Sequence, residues 1–460
     1  MVLGNLMIEF TSTFLDDGLK FEEAINRYHD RQISFLNQCN TITVVNGVTD
    51  SLDQDNFWLL CDYPLYQNRS TLFLTGLNQL NVAIIFNPFN SSICLAIPEK
   101  DDKKIFWEGH FLGYDSTTIS TIKSLFKIDE VIQFSNIFSY LDSQLTEAST
   151  KTLSTFWYED FKNRKILEDS HYNFKLTLKS YFKSLKKEIE LINCYDFLNS
   201  RLCLDSIDQQ NAQHANLIAK DAFSKCCKSL KSAKSETEVA GILKGEIYKQ
   251  CPLGQSFPAI VATGKNASIL HYQKNSAPLE HNSLLLLDFG CRHYSVVSDI
   301  SRTLPVNGKF NPLQALLYSI VLNAQKHVES KVKAGICIDE LNQECWEQIE
   351  SELELKLLNR NGKMMRSYKS QPHNVSHLIA HSVHDGDPFR LYRSTPLKEN
   401  MIISNEPGVY GYFELEINGI VYKEHCGIRI EDNLIVQKHG CLNLSTSIAK
   451  EIVDIEALIV

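Results

Sequence analysis

The sequence predicts a two-domain α/β (α+β) protein, and three observations lead to that class. The chain has 460 residues, more than one hydrophobic core usually serves, so two domains that could each bury a sizeable core are expected. Up to about residue 145, short β-rich runs alternate with helical stretches, the order of a layered α/β domain. In the second half, apolar runs repeatedly stop at a carboxylate or run into histidines, which is how strands deliver polar groups to a shared site.

In chain order, "TITVVNGV", "STLFLTGL", "NVAIIFNP" and "SSICLAIPE" are β-rich runs bounded by Asn, Gly, Pro and Ser, and all four read as strands. From about 150 to 250 the pattern turns helical and lysine-rich. "LKSYFKSLKKEIELI" reads there as an amphipathic helix linking the domains, with a solvated lysine face. The boundary is expected near residue 180, giving domains 1–180 and 181–460. "SETE" offers Ser235 as a helix N-cap with Glu238 reaching back, a capping box. "FNPLQALLYSIVLNAQKHVESKVKAG" predicts a long helix capped by Asn311, with Pro312 first and Leu313, Leu317, Ile320, Ala324 and Val328 on its buried face. No internal repeat or low-complexity tract interrupts this order.

Composition excludes several functions. A net charge of -9 gives no global field to draw in nucleic acid or an anionic membrane. The 13 cysteines are odd in number, include the adjacent Cys226 and Cys227, and lack CxxC spacing, so neither a disulfide framework nor a zinc knuckle is expected. That usage fits a reducing compartment. "MVLGNLMIEFTSTFLDDGLK" has neither a basic n-region nor an Arg-rich, acid-poor character, and runs such as "NVAIIF" are too short to span a bilayer. A cytoplasmic protein with no membrane and no nucleic-acid partner is expected.

The chemistry lies where strands end. "SLLLLDFG" delivers Asp288, "VVSDISRT" delivers Asp299, and "MIISNEPGVY" delivers Glu406 before a sharp Pro-Gly turn. A carboxylate ending an apolar run is costly to bury without a cation or strong donors. In "GIRIEDN", strand alternation puts Ile428 and Ile430 on one face and Arg429 and Glu431 on the other. "HNVSHLIAHSVHD" packs His373, His377, His381 and His384 into twelve positions. Asp288, Asp299, Glu406, Glu431 and an imidazole make a hard, oxygen-dominated ligand set suited to Mn²⁺, Co²⁺, Fe²⁺ or Zn²⁺ and unlike a structural zinc site. Four negative charges are cancelled by two divalent ions, so a dinuclear centre for metal-assisted amide hydrolysis fits better than a mononuclear one. Taken singly, each of these acids reads as a turn or surface carboxylate; their joint occurrence in order carries the inference.

At these residues the chain resembles the Xaa-Pro aminopeptidases and the wider pita-bread metallopeptidases, through "PAIVATGKNASILHYQKN", "LLLLDFGCRHYSVVSDISRTLPVNGKFNPLQ", "HNVSHLIAHSVHD", "ISNEPGVY" and "CGIRIEDNLIV". "CDYPLYQNRSTLFLTGLNQLNVAIIF" and "FWEGHFLGY" resemble that family's creatinase-like amino-terminal domain, with Leu74, Thr75 and Gly76 at its usual "LTG". The resemblance implies an amino-terminal domain followed by a pita-bread catalytic domain. It implies Asp288, Asp299, His377, Glu406 and Glu431 as ligands of two divalent ions, Mn²⁺ first, with Co²⁺ or Zn²⁺ as alternatives. Which of Asp299, Glu431 and Asp288 bridge stays open. Glu406 is implied as the base for the attacking water, His271, His373 and His384 as substrate-facing histidines, and Arg429 as the residue that completes the pocket; His381 has no implied role. Substrates would be peptides with proline second, and the enzyme a homo-oligomer. Prolidase, creatinase-type C-N hydrolysis and a non-catalytic pita-bread binding module are the alternatives. Asn374 and Ala380 stand where the family usually has glycine, and Asn tolerates left-handed backbone while Ala is small, so both read as accommodated variants.

Overall fold

A computed structural model describes residues 13–49 and 67–459, apart from 161, 162, 164, 167, 168, 196 and 370. The amino-terminal stretch 1–12 and the "CDYPLY" part of the resemblance lie outside the described residues. The chain divides into two compact units: one runs to Arg201 and takes in Asp387–Phe389, and the other comprises Leu202–Gly386 and the chain from Arg390 on.

The first unit is built on a six-stranded mixed sheet in the order 130–133, 92–97, 83–87, 42–46, 152–155, 190–193. Its central strands, "ITVVN" and "AIIFN", are buried at every position because both faces are covered. Val45, Ile84, Phe86 and Leu95 join one core with Tyr28 and Phe35. Val44, Ala83, Ile85 and Cys94 join the other with Leu141, Leu178 and Phe182.

Three of the four expected strands are present, at Ile42–Asn46, Ala83–Asn87 and Ser92–Ile97. The fourth, "STLFLTGL", is instead part of a helix, Arg69–Thr75. Its ends explain the difference: the Asn68 side chain accepts the Thr71 N–H at 2.8 Å, and Gly76 closes the helix at φ 69°. An added Cβ at Gly76 would lie 2.6 Å from the Phe14 ring. A buried apolar run does not distinguish helix from strand by itself, and the caps decide.

The first unit also extends past the boundary expected near 180. Helix Ser170–Ser184 packs Phe174, Leu178 and Phe182 on the sheet. The chain then turns through Lys186 at φ 55°. Glu190–Asn193 pairs in parallel with Thr152–Thr155, so "EIELI" supplies an edge strand and not the end of a connector helix.

In the second unit, strands 260–263, 284–289 and 300–305 form one antiparallel sheet, and 378–379, 402–405, 432–437 and 440–443 another. A long hairpin, Gly408–Ile417 with Ile420–Arg429, adds strand 363–366. Helix Pro312–Lys331 has the Asn311 cap, and all five residues expected on its buried face are buried. The "SETE" helix is Glu236–Gln250; Ser235 accepts the Glu238 N–H at 3.3 Å. The Glu238 carboxylate takes the N–H of Lys234 and not that of Ser235.

Two strands, 300–305 and 432–437, are locked together by one buried ion pair. Arg302, fully buried, gives one N–H to Asp432 at 2.7 Å. Its other donors reach the carbonyls of Ser301, Glu431, Ile448 and Ala449, so all five are used. Lys450 Nζ lies 2.6 Å from the second Asp432 oxygen. Burial alone would raise the Asp432 pKa, but Arg302 and Lys450 outweigh it and hold it well below the usual carboxylate range. A carboxylate depressed on folding stabilises the fold above its unfolded pKa and loses that contribution as pH falls towards its folded value. Asp432→Asn is expected to cost about 3–5 kcal/mol in urea denaturation at pH 7, with the gap to wild type narrowing below about pH 4; a gap that stays constant with pH would contradict the ion-pair account.

Candidate metal centre

Pairing registers bring the acids together. Asp288 sits opposite Ser301 across the 284–289 and 300–305 strands, and Asp299 immediately precedes the second of them. His377 precedes the short strand Leu378–Ile379, whose pairing with 402–405 brings its N–H to the Ser404 hydroxyl at 2.9 Å. Glu406 follows that strand, and its N–H bonds to the Val375 carbonyl at 2.9 Å. Glu431 links 420–429 to 432–437 and is tied by its N–H to the Ser301 carbonyl at 3.0 Å. Ile428 and Ile430 are buried in the core, which leaves Arg429 and Glu431 facing the cleft as alternation requires.

All nine expected residues, Asp288, Asp299, His377, Glu406, Glu431, His271, His373, His384 and Arg429, line a single cleft of about 150 Å³. His381 does not. It is buried, with Nδ1 3.2 Å from the Ser295 carbonyl and its N–H on Asp385, and serves the scaffold. Neither Asn374 nor Ala380 has a positive φ, so the left-handed freedom of glycine is not used at either position.

Sequence reasoning missed Ser301, Tyr410 and Arg390. Ser301 donates to Glu431 Oε2 at 2.9 Å and accepts from Arg429 Nε at 2.8 Å. Arg429 also donates to Asp288 Oδ2 at 2.5 Å and to the Tyr410 oxygen at 3.1 Å. Arg390 enters the cleft from a left-handed backbone position, φ 59°. Tyr410 could have been found from the alternation of "EPGVY", whereas Ser301 depends on a cross-strand register that one strand does not reveal.

Whether these residues suit a cation follows from what their atoms face. His377 Nδ1 lies 3.3 Å from the Leu378 carbonyl, which places its hydrogen there and leaves Nε2 as a lone pair. That Nε2 faces Glu406 at 3.3 Å, Asp299 at 3.5 Å and Glu431 at 4.0 Å. Burial and the neighbouring His384 hold the His377 pKa well below its ordinary value, so the imidazole is neutral. A lone pair aimed at three carboxyl groups is satisfied by a metal cation between them, or by protons on the acids where no metal is bound. Asp288 Oδ1, Asp299 Oδ1 and Glu431 Oε1 are buried without a hydrogen-bond partner, three further donor atoms for the same purpose. Among the described residues, His377 with Glu406 and Glu431, and Asp288 with Asp299 and Glu431, form two close ligand groups that share Glu431. A third joins Asp299, His377 and His384. These groups fit two divalent cations, which Asp288, Asp299, His377, Glu406 and Glu431 would hold.

The electrostatics agree. Burial, then Glu431, Asp288 and Glu406, push the Asp299 pKa well up. Burial, then Glu406 and Asp288, do the same for Glu431. Glu406 is pushed up to about 8, by burial first, with Arg429 opposing. The metal-free cluster therefore holds protons near neutral pH, and cations must displace them. Carboxylates raised on folding stabilise the fold below their unfolded pKa and lose that contribution as pH rises through the folded value. Titration of chelator-stripped protein with Mn²⁺ in two buffers of different ionisation enthalpy should release about one proton or more at pH 7, with affinity falling as pH drops below about 8. Heats that do not depend on buffer would contradict the protonated cluster.

Residues 210–438 match the model of metallopeptidase family M24, and residues 28–153 that of the aminopeptidase P N-terminal domain. The chain is 27% identical over 450 residues to "Probable Xaa-Pro aminopeptidase pepP" of Metarhizium acridum, covering 91% of this chain and 85% of that one. It is 28% identical to the Xaa-Pro aminopeptidase of Haemophilus influenzae, covering 86% and 89%. To the mitochondrial intermediate cleaving peptidase 55 of Arabidopsis thaliana it is 27% identical, covering 96% and 83%. Aminopeptidase P from E. coli, solved with the inhibitor Pro-Leu, superposes with a TM-score of 0.77 at 23% identity, covering 95% and 98%, a likeness of fold.

Proposed function

The chain belongs to metallopeptidase family M24, and we propose from that premise that it is a dinuclear exopeptidase releasing the first residue of peptides with proline second. The observation that carries the reading is the His377 lone pair aimed at three carboxylates, in a cleft that His271, His373 and His384 also line. Asp288, Asp299, His377, Glu406 and Glu431 would hold two divalent ions, which supply Lewis-acid activation of a peptide carbonyl and of water. Mn²⁺ is the first choice for this oxygen-rich set, with Co²⁺ or Zn²⁺ next.

Each remaining group has a task its contacts support. Glu406, ionised once the cations have displaced its proton, would take the proton of the attacking water and return it to the leaving nitrogen. His373 accepts from the Tyr410 hydroxyl through Nε2 at 2.9 Å while its Nδ1 faces the Asn374 carbonyl at 2.9 Å, so its tautomer is fixed. His384 stands edge-on to His377, with ring centroids 4.2 Å apart, and with His271 offers donors to the peptide carbonyl and the proline subsite. Arg429 steadies Asp288 and positions Tyr410.

The hydrolytic class follows from the family; the subunit arrangement and location are part of the proposal. A homo-oligomer would limit the cleft to peptide ends. No helix among the described residues is long and apolar enough to cross a membrane. The cysteines other than Cys61, which lies outside the described residues, are all free, which supports a reducing, cytoplasmic location.

Chelator-stripped protein given Mn²⁺ is expected to release arginine from Arg-Pro-Pro; cleavage of Ala-Pro alone would replace the proposal with prolidase. A longer peptide without proline is the necessary third substrate, since its cleavage at comparable rate would widen the specificity. Glu406→Gln and His377→Ala should each lower kcat by at least about 100-fold with circular dichroism unchanged. Wild-type rates in either metal-loaded variant would refute the site.

A further inference from the structure

The mechanism uses His271, yet among the described contacts no hydrogen bond of its own ring fixes it, and it lies on the irregular segment between strand Ile260–Thr263 and strand Leu284–Phe289. A carboxylate outside the acid cluster holds that segment at several points. Glu236, at the first position of helix Glu236–Gln250, has no solvent exposure. Its Oε1 accepts the Thr263 N–H at 2.8 Å and the Asn266 side-chain N–H at 3.0 Å. Its Oε2 accepts the Tyr272 hydroxyl at 2.8 Å and the Ala277 N–H at 2.8 Å. Four donors fill the four lone-pair positions of one carboxylate. They come from the strand residue before the segment, its first turn, the residue after His271, and Ala277 beyond it.

We propose that Glu236 is a positioning residue that sets His271 in the cleft by gripping the chain before it, beside it and after it, at Thr263 and Asn266, Tyr272 and Ala277. The inference rests on the reading of His271 as a substrate-facing group. Tyr272 gives it direction: held by its hydroxyl to Glu236 and packed in a small core with Ile260, Ala262 and Leu286, it fixes the backbone next to His271. A buried ionised carboxylate with only neutral donors is a costly way to hold a loop, whereas each of these charge-assisted bonds is stronger and more directional than a neutral one.

Glutamine cannot substitute. In either orientation of its amide, the –NH₂ would face a backbone N–H, that of Thr263 or that of Ala277, and at least one donor would lose its acceptor. Three other bonds staple the same segment to the helix and the residues leading into it: Glu236 N–H to the Ala277 carbonyl at 2.9 Å, Leu279 N–H to the Lys234 carbonyl at 2.9 Å, and the Thr237 hydroxyl to the Asn275 carbonyl at 2.7 Å. Glu236→Gln should therefore loosen the segment without unfolding the protein. Tyr272→Phe, which removes only the bond beside His271, is the milder variant.

The test compares wild type, Glu236→Gln, Tyr272→Phe, His271→Ala and the double variant Glu236→Gln/His271→Ala, each loaded with Mn²⁺ and assayed on Arg-Pro-Pro. Hydrogen exchange of residues 264–277 and calorimetric Mn²⁺ affinity are read alongside. The expected result is faster exchange in that segment, unchanged Mn²⁺ affinity, and a kcat/KM lower by about 10- to 100-fold in Glu236→Gln, with a smaller loss in Tyr272→Phe. Because Glu236 acts through His271, adding Glu236→Gln to His271→Ala should lower kcat/KM by no more than about twofold further. A Glu236→Gln enzyme within about twofold of wild type, or one whose loss multiplies in full with that of His271→Ala, would overturn the proposal. Wild-type kcat/KM in His271→Ala would overturn it by another route, by removing the substrate role assigned to His271; the exchange data would then still report whether Glu236 grips the segment.

Discussion

Four carboxylates and an uncharged imidazole share one cleft, and the catalytic unit is organised around that unfavourable concentration of charge. Arg429 is ion-paired to Asp288, and Arg390 lines the same cleft, so two cations face four carboxylates. Asp299 and Glu431 are 4% and 2% exposed, so water cannot screen them. A protein that places acids this way without compensation would relieve the repulsion by taking up protons, as the raised pKa values show, or by separating the strands. Divalent cations relieve it while keeping every group ionised. The structural task is therefore to hold mutually repelling groups at fixed separation until the cations arrive.

The fold does this by using the two-residue period of strands twice. Ser301 and Arg302 are consecutive, as are Glu431 and Asp432. In each pair the first side chain joins the cleft network and the second enters the ion pair behind it. Arg302 also binds the carbonyls of Ser301 and Glu431, so one guanidinium clamps both cleft-bearing segments from the rear. From the front, Ser301 bridges Glu431 and Arg429, and Arg429 reaches Asp288. A side chain cannot leave the cluster without pulling on a backbone that a fully satisfied buried cation holds in place.

Much of this was legible in the sequence, for a physical reason. Acids at the ends of apolar runs are costly, so Asp288, Asp299 and Glu406 announce themselves one at a time, and alternation assigns Arg429 and Glu431 to one face. The helix 312–331 was equally plain, because caps and periodicity are local signals. What stayed hidden depends on which chain segment meets which. "STLFLTGL" has strand composition but helix caps. "EIELI" becomes a strand only because Thr152–Thr155 offers it an edge. Ser301 owes its place to register, and Glu236 reads locally as an acid in a helix's first turn, until residues 263–277 are seen to close on it.

The position of Asn374 shows how the same logic tolerates change. His373 Nδ1 faces the residue 374 carbonyl, which puts the proton there and leaves Nε2 to accept from the Tyr410 hydroxyl. The Tyr410 oxygen then accepts from Arg429, which donates to Asp288, so proton placement on a cleft-lining histidine is tied to a carboxylate of the cluster. The His373 pKa, pushed down to about 3 by burial and then by Arg429, keeps the ring neutral and the chain of donors unambiguous. Residue 374 contributes a backbone carbonyl to this chain, with no positive φ and no demand on its side chain. Any residue that keeps that carbonyl in place preserves the tautomer, so asparagine can stand where glycine is usual without altering the protons on which the cleft's chemistry depends.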